Sequence, residues 1–311
     1  MAPAETALST HPVAPAGSDA VQRSREPGIW LFDPDRARIA VKNAEAVLAQ
    51  LPLFLAGWPL QWSGPAGAAP CDIELREDSG AIIVARTGVG ARAQSFAGAL
   101  DAANGLADAL VSALMVRDAR TICLHTAAVA IGGGLALLVG EPDADGSGVS
   151  LNLAARGHLL FGDDRIGLRI EDAAIGICLG LMPKARLPLP ADADHRYAAF
   201  IDAFSALQTE DLACLRPPIG VMAEFADERP VSAIFLLERR VTGEARIVPA
   251  ARADVAAAVL RHGFAPHIEE AALTGRAAAL AAAVPGFRLS FCDNRDAADV
   301  LAATLGKAAG P

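Results

Sequence analysis

The sequence has no uncharged apolar run of about twenty residues, which is the length that a membrane-spanning helix requires. Its longest apolar stretches, 122–139 and 271–284, are interrupted by His125, by glycines and by Arg276. The first 27 residues are rich in Ala, Pro, Ser and Thr and lack the apolar segment of a signal peptide. We therefore predict a disordered leader over residues 1–27 and a cytoplasmic protein that does not bind a membrane.

Compact clusters of basic residues are scarce. The chain has 27 Lys and Arg against 36 Asp and Glu, which gives a formal net charge of −9. Contacts with nucleic-acid phosphates require clustered Lys and Arg. The composition therefore argues against nucleic acid as the main partner.

Cysteine is also scarce, and its spacing excludes two kinds of site. The five cysteines are widely scattered, and no C-x-x-C spacing occurs. An odd, dispersed set without an export signal indicates reduced thiols that mostly fill the core. Zinc binding has no support, since the histidines are dispersed as well. Ser-His-Asp catalysis has none either, because no nucleophile elbow is present.

The chain is long enough for one large or two modest domains. Predicted strands separated by predicted helices favour an α/β class, and hairpins indicate a mixed sheet. We predict a small N-terminal α/β domain over residues 28–115 and a second domain over residues 116–311. In the first we expect a strand at 28–32, a helix at 36–51, a hairpin at 72–85 turning at Asp78-Ser-Gly80, and a helix at 97–116.

The second domain begins with two short buried strands in 127–139, joined by a glycine turn at 132–134. The expected elements that follow are helices at 148–157, 197–206, 252–262, 269–283 and 296–305, and strands at 159–161, 221–225, 231–237 and 284–289. Arg239 and Arg240 are interpreted as the polar end of the 231–237 strand.

The segment 140–147 is the most informative motif. It reads G-E-P-D-A-D-G-S, between a predicted strand and a predicted helix, and the next strand ends in Asp163 and Asp164. This order is the frame of a phosphate-binding P-loop, whose loop reads G-x-x-x-x-G-K-[ST]. Here Asp145 replaces the second glycine and Gly146 replaces the lysine. Gly140 and Ser147 are retained.

Three further motifs keep the same register around this loop. His125 lies fifteen residues before Gly140, R-G-H stands at 156–158, and G-D-D stands at 162–164. With the loop, they resemble the HPr kinase/phosphorylase family and the related kinases of bacterial peptide-modification clusters. The resemblance extends over residues 120–305, and the basic segment with Lys184 and Arg186 is similar to one in the smaller relatives.

The resemblance implies an α/β P-loop fold with a mixed sheet, related to phosphoenolpyruvate carboxykinase, and a kinase that uses Mg-ATP. By resemblance, Ser147 and Asp163 would hold Mg²⁺, and the Asp163–Asp164 pair would supply the carboxylate that accepts the proton of a substrate hydroxyl. His125 would lie beside the phosphates. Simpler interpretations remain open. In these, Asp163 and Asp164 are solvated acids at a strand end, and the His125 imidazole is hydrogen-bonded to backbone groups. Lys184 and Arg186 would then lie on a solvated strand edge.

The altered loop argues against ordinary nucleotide binding. Two glycine positions of the family are Asp143 and Asp145, and Gly146 removes the ammonium, so the local charge changes by about three units. One unit pair at about 4 Å is worth roughly 4 kcal/mol near a surface. We therefore predict a pseudokinase with no certain cofactor that binds a small protein or peptide. The alternative is an active serine/threonine-type kinase with a remodelled Mg-ATP site.

Two other interpretations of the loop remain open. It is rich in the residues that surface turns favour. Asp143, Asp145 and Ser147 also match the first three ligand positions of a calcium loop, but Ala154 stands where a bidentate acid is required. Members of the family often form oligomers, which leaves a homo-oligomer open.

Overall fold

The computed structural model describes residues 27–33, 35–88, 90–190 and 193–308. The predicted leader lies outside this range except for residue 27. The described residues form a mixed α/β structure with nineteen strands in three sheets. The strands are β1 (Gly28–Phe32), β2 (Ile39–Lys42), β3 (Leu60–Pro65), β4 (Ile73–Asp78), β5 (Ala81–Arg86), β6 (Arg92–Phe96), β7 (Thr121–His125), β8 (Ala127–Ile131), β9 (Gly134–Val139), β10 (Leu159–Gly162), β11 (Arg165–Ile170), β12 (Ala174–Ile177), β13 (Lys184–Arg186), β14 (Ser205–Gln208), β15 (Leu212–Leu215), β16 (Glu228–Arg239), β17 (Arg246–Pro249), β18 (Gly263–Phe264) and β19 (Gly286–Phe291).

Seven α-helices are present in the described part of the chain. They are α1 (Glu45–Leu48), α2 (Ala99–Arg117), α3 (Gly146–Ala155), α4 (His195–Phe204), α5 (Arg252–His262), α6 (Glu270–Ala283) and α7 (Asn294–Ala308).

A six-stranded sheet with the order β3-β1-β2-β4-β5-β6 forms the N-terminal part. The predicted helix over 36–51 is wrong in its first half, where β2 pairs antiparallel with β1, and only α1 is helical afterwards. Arg38 and Asn43 have positive φ angles of 47° and 60°, which end the strand on both sides and are incompatible with a continuous helix. Ile39 and Val41 lie on one buried face, so strand pairing prevails over local helix propensity.

The predicted hairpin of the first sheet is confirmed. Strands β4 and β5 pair from Ile73↔Arg86 to Asp78↔Ala81, and Ser79 and Gly80 both have positive φ angles. Two such residues match the right-handed twist of hairpin strands. Strand β6, which the sequence pattern did not predict, continues this sheet beside β5 and forms its outer edge.

The ten-stranded sheet follows the order β10-β8-β9-β16-β12-β11-β7-β18, with β19 beside β16 and β17 beside β19. Strand β16 runs parallel to both β9 and β19, so the carboxyl ends of these three strands meet at one edge. Alternate residues of β9 and β16 face opposite sides. One side packs against α3, α4 and α7, and the other packs against α5 and α6. The predicted strand at 221–225 is wrong: Met222 makes only isolated bridges, to Leu160 and Ile219.

The two predicted domains share buried contacts. Ala56 N donates to Gly180 O at 2.9 Å, and Met182 N donates to Phe54 O at 2.9 Å. One buried cluster includes α2, the first sheet and also Leu181. Helix α2 is the one described helix with the length and hydropathy of a membrane span, and more than half of its apolar window is buried inside the protein.

Candidate functional site

A cavity of about 960 Å³ lies between the N-terminal sheet with α2 and the loop that precedes α3. Most of the residues selected from the sequence line it, although they come from four separate segments. Its polar lining includes Arg92, Gln94, Asn104, Asp108, His125, Glu141, Asp145, Ser147, Asp163, Asp164, Lys184, Arg186 and Asn294.

The loop itself follows β9 directly. After Gly140, a 3-10 turn occupies Pro142–Ala144, and α3 begins at Gly146. A Cβ at Gly140 would lie 2.8 Å from the Cβ of Ala144 and 2.9 Å from that of Leu237, so packing requires a glycine there. At Gly146 the nearest atom would be Leu138 O at 3.4 Å, which leaves room for a side chain.

Asp145 is the N-cap of α3 and has left-handed backbone angles of φ 56° and ψ 48°. Its carboxylate accepts hydrogen bonds from Gly148 N at 3.2 Å and from the Asn294 side-chain amide, and it pairs with Arg239 Nη1 at 3.2 Å. A helix N-terminus is where phosphate groups bind in P-loops. In this protein a carboxylate of the chain itself occupies that position.

Asp163 lies deep in the cavity wall and is only 3% exposed. It accepts hydrogen bonds from the Ser147 hydroxyl and from Lys184 N, the latter at 3.3 Å. Its Oδ1 has no hydrogen-bond partner among the described residues. Burial is the main reason that the pKa of Asp163 is raised to about 6. A carboxyl group with this pKa is partly protonated just below neutral pH.

Asp164, His125 and Arg165 form a second group at the mouth of the cavity. His125 Nε2 lies 3.1 Å from Asp164 Oδ1, and Arg165 Nε lies 3.2 Å from Asp164 Oδ2. Burial raises the pKa of Asp164, but the hydrogen bond from His125 and the charge of Arg165 outweigh it, and the net shift is downward. The same hydrogen bond raises the pKa of His125. Asp164 is therefore an ionised acceptor beside an imidazole that it helps to protonate.

Lys184 lines the same cavity but points towards α2. Its Nζ donates to Asn104 Oδ1 at 2.8 Å and lies 5.2 Å from the centre of the Phe54 ring. Arg186 lines the cavity as well. Asp143 is exposed on the 3-10 turn, and Glu141 pairs with Arg261 at 2.8 Å. The loop thus has partners on β16, α5 and α7.

The sequence interpretation missed Arg239 and Asn294. Arg239 is the polar end of a strand, as expected, but it also pairs with Asp145, which the sequence interpretation did not foresee. These residues meet because β9, β16 and β19 are parallel, so that the residues after their carboxyl ends lie at one edge of the sheet. Gly140 follows β9, Arg239 ends β16, and Asn294 follows β19.

Metal binding by the protein alone would require ligands that the described residues do not supply. They contain no group of three or more His, Cys, Asp or Glu side chains placed to hold one ion. Of the residues matched to a calcium loop, Asp145 is already engaged by Arg239 and Asn294, and Ser147 donates to Asp163. A magnesium ion at Asp163 and Ser147 would need further oxygen ligands from water or a bound nucleotide.

No protein-family model matches the chain, and no curated protein matches it. Solved structures that match include the Hpr(Ser) kinase/phosphatase from Coxiella burnetii. That match covers 60% of this chain and 94% of the other, with 15% sequence identity and a TM-score of 0.31. The likeness is distant.

Proposed function

We propose that this protein is an HPr-kinase-like P-loop protein that has lost ATP-dependent phosphoryl transfer and acts in the cytoplasm by binding a small protein or peptide. The observation that carries the proposal is the Asp145 carboxylate at the N-terminus of α3. It takes the hydrogen bond of Gly148 N and the charge of Arg239, both of which an incoming phosphate would otherwise use.

Phosphate would meet several unfavourable changes at this loop. A dianionic group at the start of α3 would lie against Asp145, and Gly146 supplies no compensating ammonium. Displacing the Asp145 side chain would break its contacts with Arg239 and Asn294. It would also leave α3 without its N-cap and Asp145 in a left-handed conformation that no contact offsets. The Ala144 amide is also used within the loop, where it donates to Glu141 O at 2.9 Å.

A second function, that of an active kinase, is favoured by a different observation. Ser147, Asp163, Asp164 and His125 meet in one cavity, and Asp163 Oδ1 has no partner among the described residues. In that case Asp163 and Ser147 would hold Mg²⁺, which would neutralise phosphate charge when bound. Asp164 would accept the proton of a substrate hydroxyl, and His125 would stabilise its ionised form. The lowered pKa of Asp164 makes it a weak base for this role.

Calorimetric titration with Mg-ATP tests the proposal. We expect no saturable binding to the natural protein at millimolar nucleotide. The double substitution Asp145→Gly with Gly146→Lys introduces the glycine and the lysine of the P-loop pattern. A Cβ at Gly146 meets only ordinary contacts, and the residue lines the cavity. We expect the double variant to bind Mg-ATP at least about tenfold more tightly, since one added charged contact is worth about 1.5–3 kcal/mol.

The control is Asp143→Gly, which removes an exposed loop carboxylate that has no part in the Asp145 contacts. Circular dichroism verifies that each variant is folded. Micromolar Mg-ATP binding by the natural protein would contradict the proposal. Transfer of radiolabelled phosphate that Asp163→Asn abolishes would establish the kinase alternative instead.

A further inference from the structure

A second pocket of about 240 Å³ opens beside the main cavity, between the β5–β6 hairpin, α2 and the end of β7. None of its lining residues belongs to the loop 140–147. Its inner wall is apolar, with Val84, Val111 and Cys123, and its rim carries Phe264, which is 44% exposed. The volume is below that of sites for drug-sized ligands and suits one small group.

Two arginines stand directly opposite each other in this pocket. Arg86 on β5 and Arg92 on β6 are cross-strand partners, and both line the pocket. Like charges at such positions repel, because their Cβ atoms are only about 4.5–5.5 Å apart. Arg86 Nη2 donates to Gly90 O at 2.7 Å, but no acidic partner is present for either guanidinium among the described residues. The protein therefore carries an uncompensated pair of positive charges at one spot although its net charge is −9.

The other charged groups of the pocket do not neutralise Arg86 and Arg92. Arg165 is neutralised locally, since its Nη1 lies 2.6 Å from Asp108 Oδ1. Asp164 is taken by His125 and Arg165. The imidazoles of His125 and His262 line the same pocket, with ring centres 6.4 Å apart. Asp164 takes the Nε2 of His125, and Glu141 lies 3.8 Å from the Nε2 of His262, which leaves the other ring nitrogen of each as a possible donor. Two arginines and two imidazoles thus line one pocket of about 240 Å³.

We propose that this pocket binds a phosphate group between Arg86 and Arg92. A tetrahedral oxyanion can accept hydrogen bonds from three directions, which matches donors on two arginines and an imidazole better than a planar carboxylate does. The phosphate comes either from a phosphorylated serine in a peptide partner, whose neighbouring side chain would pack on Phe264, or from inorganic phosphate. The lining does not include the loop, but it shares His125 and Arg165 with the main cavity. The phosphopeptide form of the proposal rests on the proposed function, since it specifies the peptide partner, whereas phosphate binding itself does not depend on the state of the loop.

The test measures binding of two probes to the full chain in low-salt buffer. The probes are inorganic phosphate and a short phosphoserine peptide, with the unphosphorylated peptide as the comparison. We expect saturable binding by calorimetry and a rise in melting temperature with phosphate. Arg92→Gln should weaken this binding about tenfold or more, since it removes one charged hydrogen-bonding partner. Tighter binding of the phosphopeptide than of inorganic phosphate identifies the peptide as the source, and equal affinity identifies free phosphate.

The matched control is Arg246→Gln, which also removes an exposed strand arginine, on β17, and should bind both probes as the natural protein does. Without phosphate, Arg92→Gln should melt no lower than the natural protein, because the substitution removes a repulsion. Arg86→Gln repeats the test if Arg92→Gln is unfolded. Absence of saturable binding by both probes, or unchanged affinity in the folded arginine variants, would overturn the proposal. Mg-ATP binding at the loop would contradict the proposed function and leave this result unaffected.

Discussion

The backbone at Asp145 explains how an acidic residue fits a tight loop at the position where the P-loop pattern has a glycine. The position has positive φ, a conformation that glycine adopts freely and that Asp tolerates better than most residues. The Asp145 side chain then caps α3 and pairs with Arg239. One carboxylate therefore serves both the N–H group of Gly148 and the guanidinium of Arg239.

The buried carboxyl group of Asp163 predicts how the stability of the protein depends on pH. Its pKa in the folded protein, about 6, lies above the ordinary value of 3.8, so the folded state binds the proton more tightly than the unfolded state. The free energy of unfolding should therefore fall as the pH rises from about 4 to 6, by up to about 3 kcal/mol from this group. Asp163→Asn should remove that part of the fall and be more stable than the natural protein at pH 7.5. Urea denaturation at several pH values measures this, and an unchanged pH profile in the variant would contradict it.

Helix α3 is held at both ends by contacts that are distant in sequence. Arg156, its C-cap, is 12% exposed and pairs with Asp194 at 3.0 Å and with Asp299 at 2.7 Å, so it joins α3 to α4 and α7. The contact with the Asp163–Asp164 pair is made by Arg165, at Asp164.

Arg156→Ala should lower the free energy of unfolding by about 2 kcal/mol, because it leaves the partly buried Asp194 without its partner. Arg295→Ala is the control, since Arg295 contacts only its neighbours Asp293 and Asp296 and is exposed. Its denaturation midpoint should stay at that of the natural protein. Equal effects of the two substitutions would show that the Arg156 contacts add nothing to the free energy of unfolding beyond those of an exposed arginine, which would contradict the prediction.

For the molecule as a whole, the shared core gives a prediction about thiol reactivity. All five cysteines are free; Cys123, Cys178 and Cys214 are buried, whereas Cys71 and Cys292 are half-buried. Burial raises the pKa of Cys123 and Cys178 to about 12. We expect a thiol reagent at pH 8 to label at most two cysteines in the native protein and all five in denaturant, because the thiolate is the reactive form. Rapid native labelling of Cys214, which lies in the core shared by the two predicted domains, would contradict this packing.

Elements with a strong local signal were predictable. The hairpin turns at Ser79–Gly80 and at Gly132–Gly133 need positive φ, and the sequence provides residues that allow it. Helix α5 was predicted with its observed bounds. The predictions failed where pairing with a distant strand decides the structure. Strand β2 forms because it pairs with β1, whereas residues 221–225 lack a continuous partner strand. The domain boundary at 115/116 stays a prediction.

The amino-acid sequence alone determined the chemistry of the loop, which has no lysine, carboxylates at Glu141, Asp143 and Asp145, and a serine at position 147. Which group fills the loop was decided only by the tertiary structure, since Arg239 and Asn294 lie 94 and 149 residues from Asp145. Three parallel strands bring these residues together. In the same way, the pairing of β5 with β6 places Arg86 opposite Arg92. Local patterns record which residues favour a turn or a strand, but contacts between charges depend on strand order and register, which arise from packing of the whole chain.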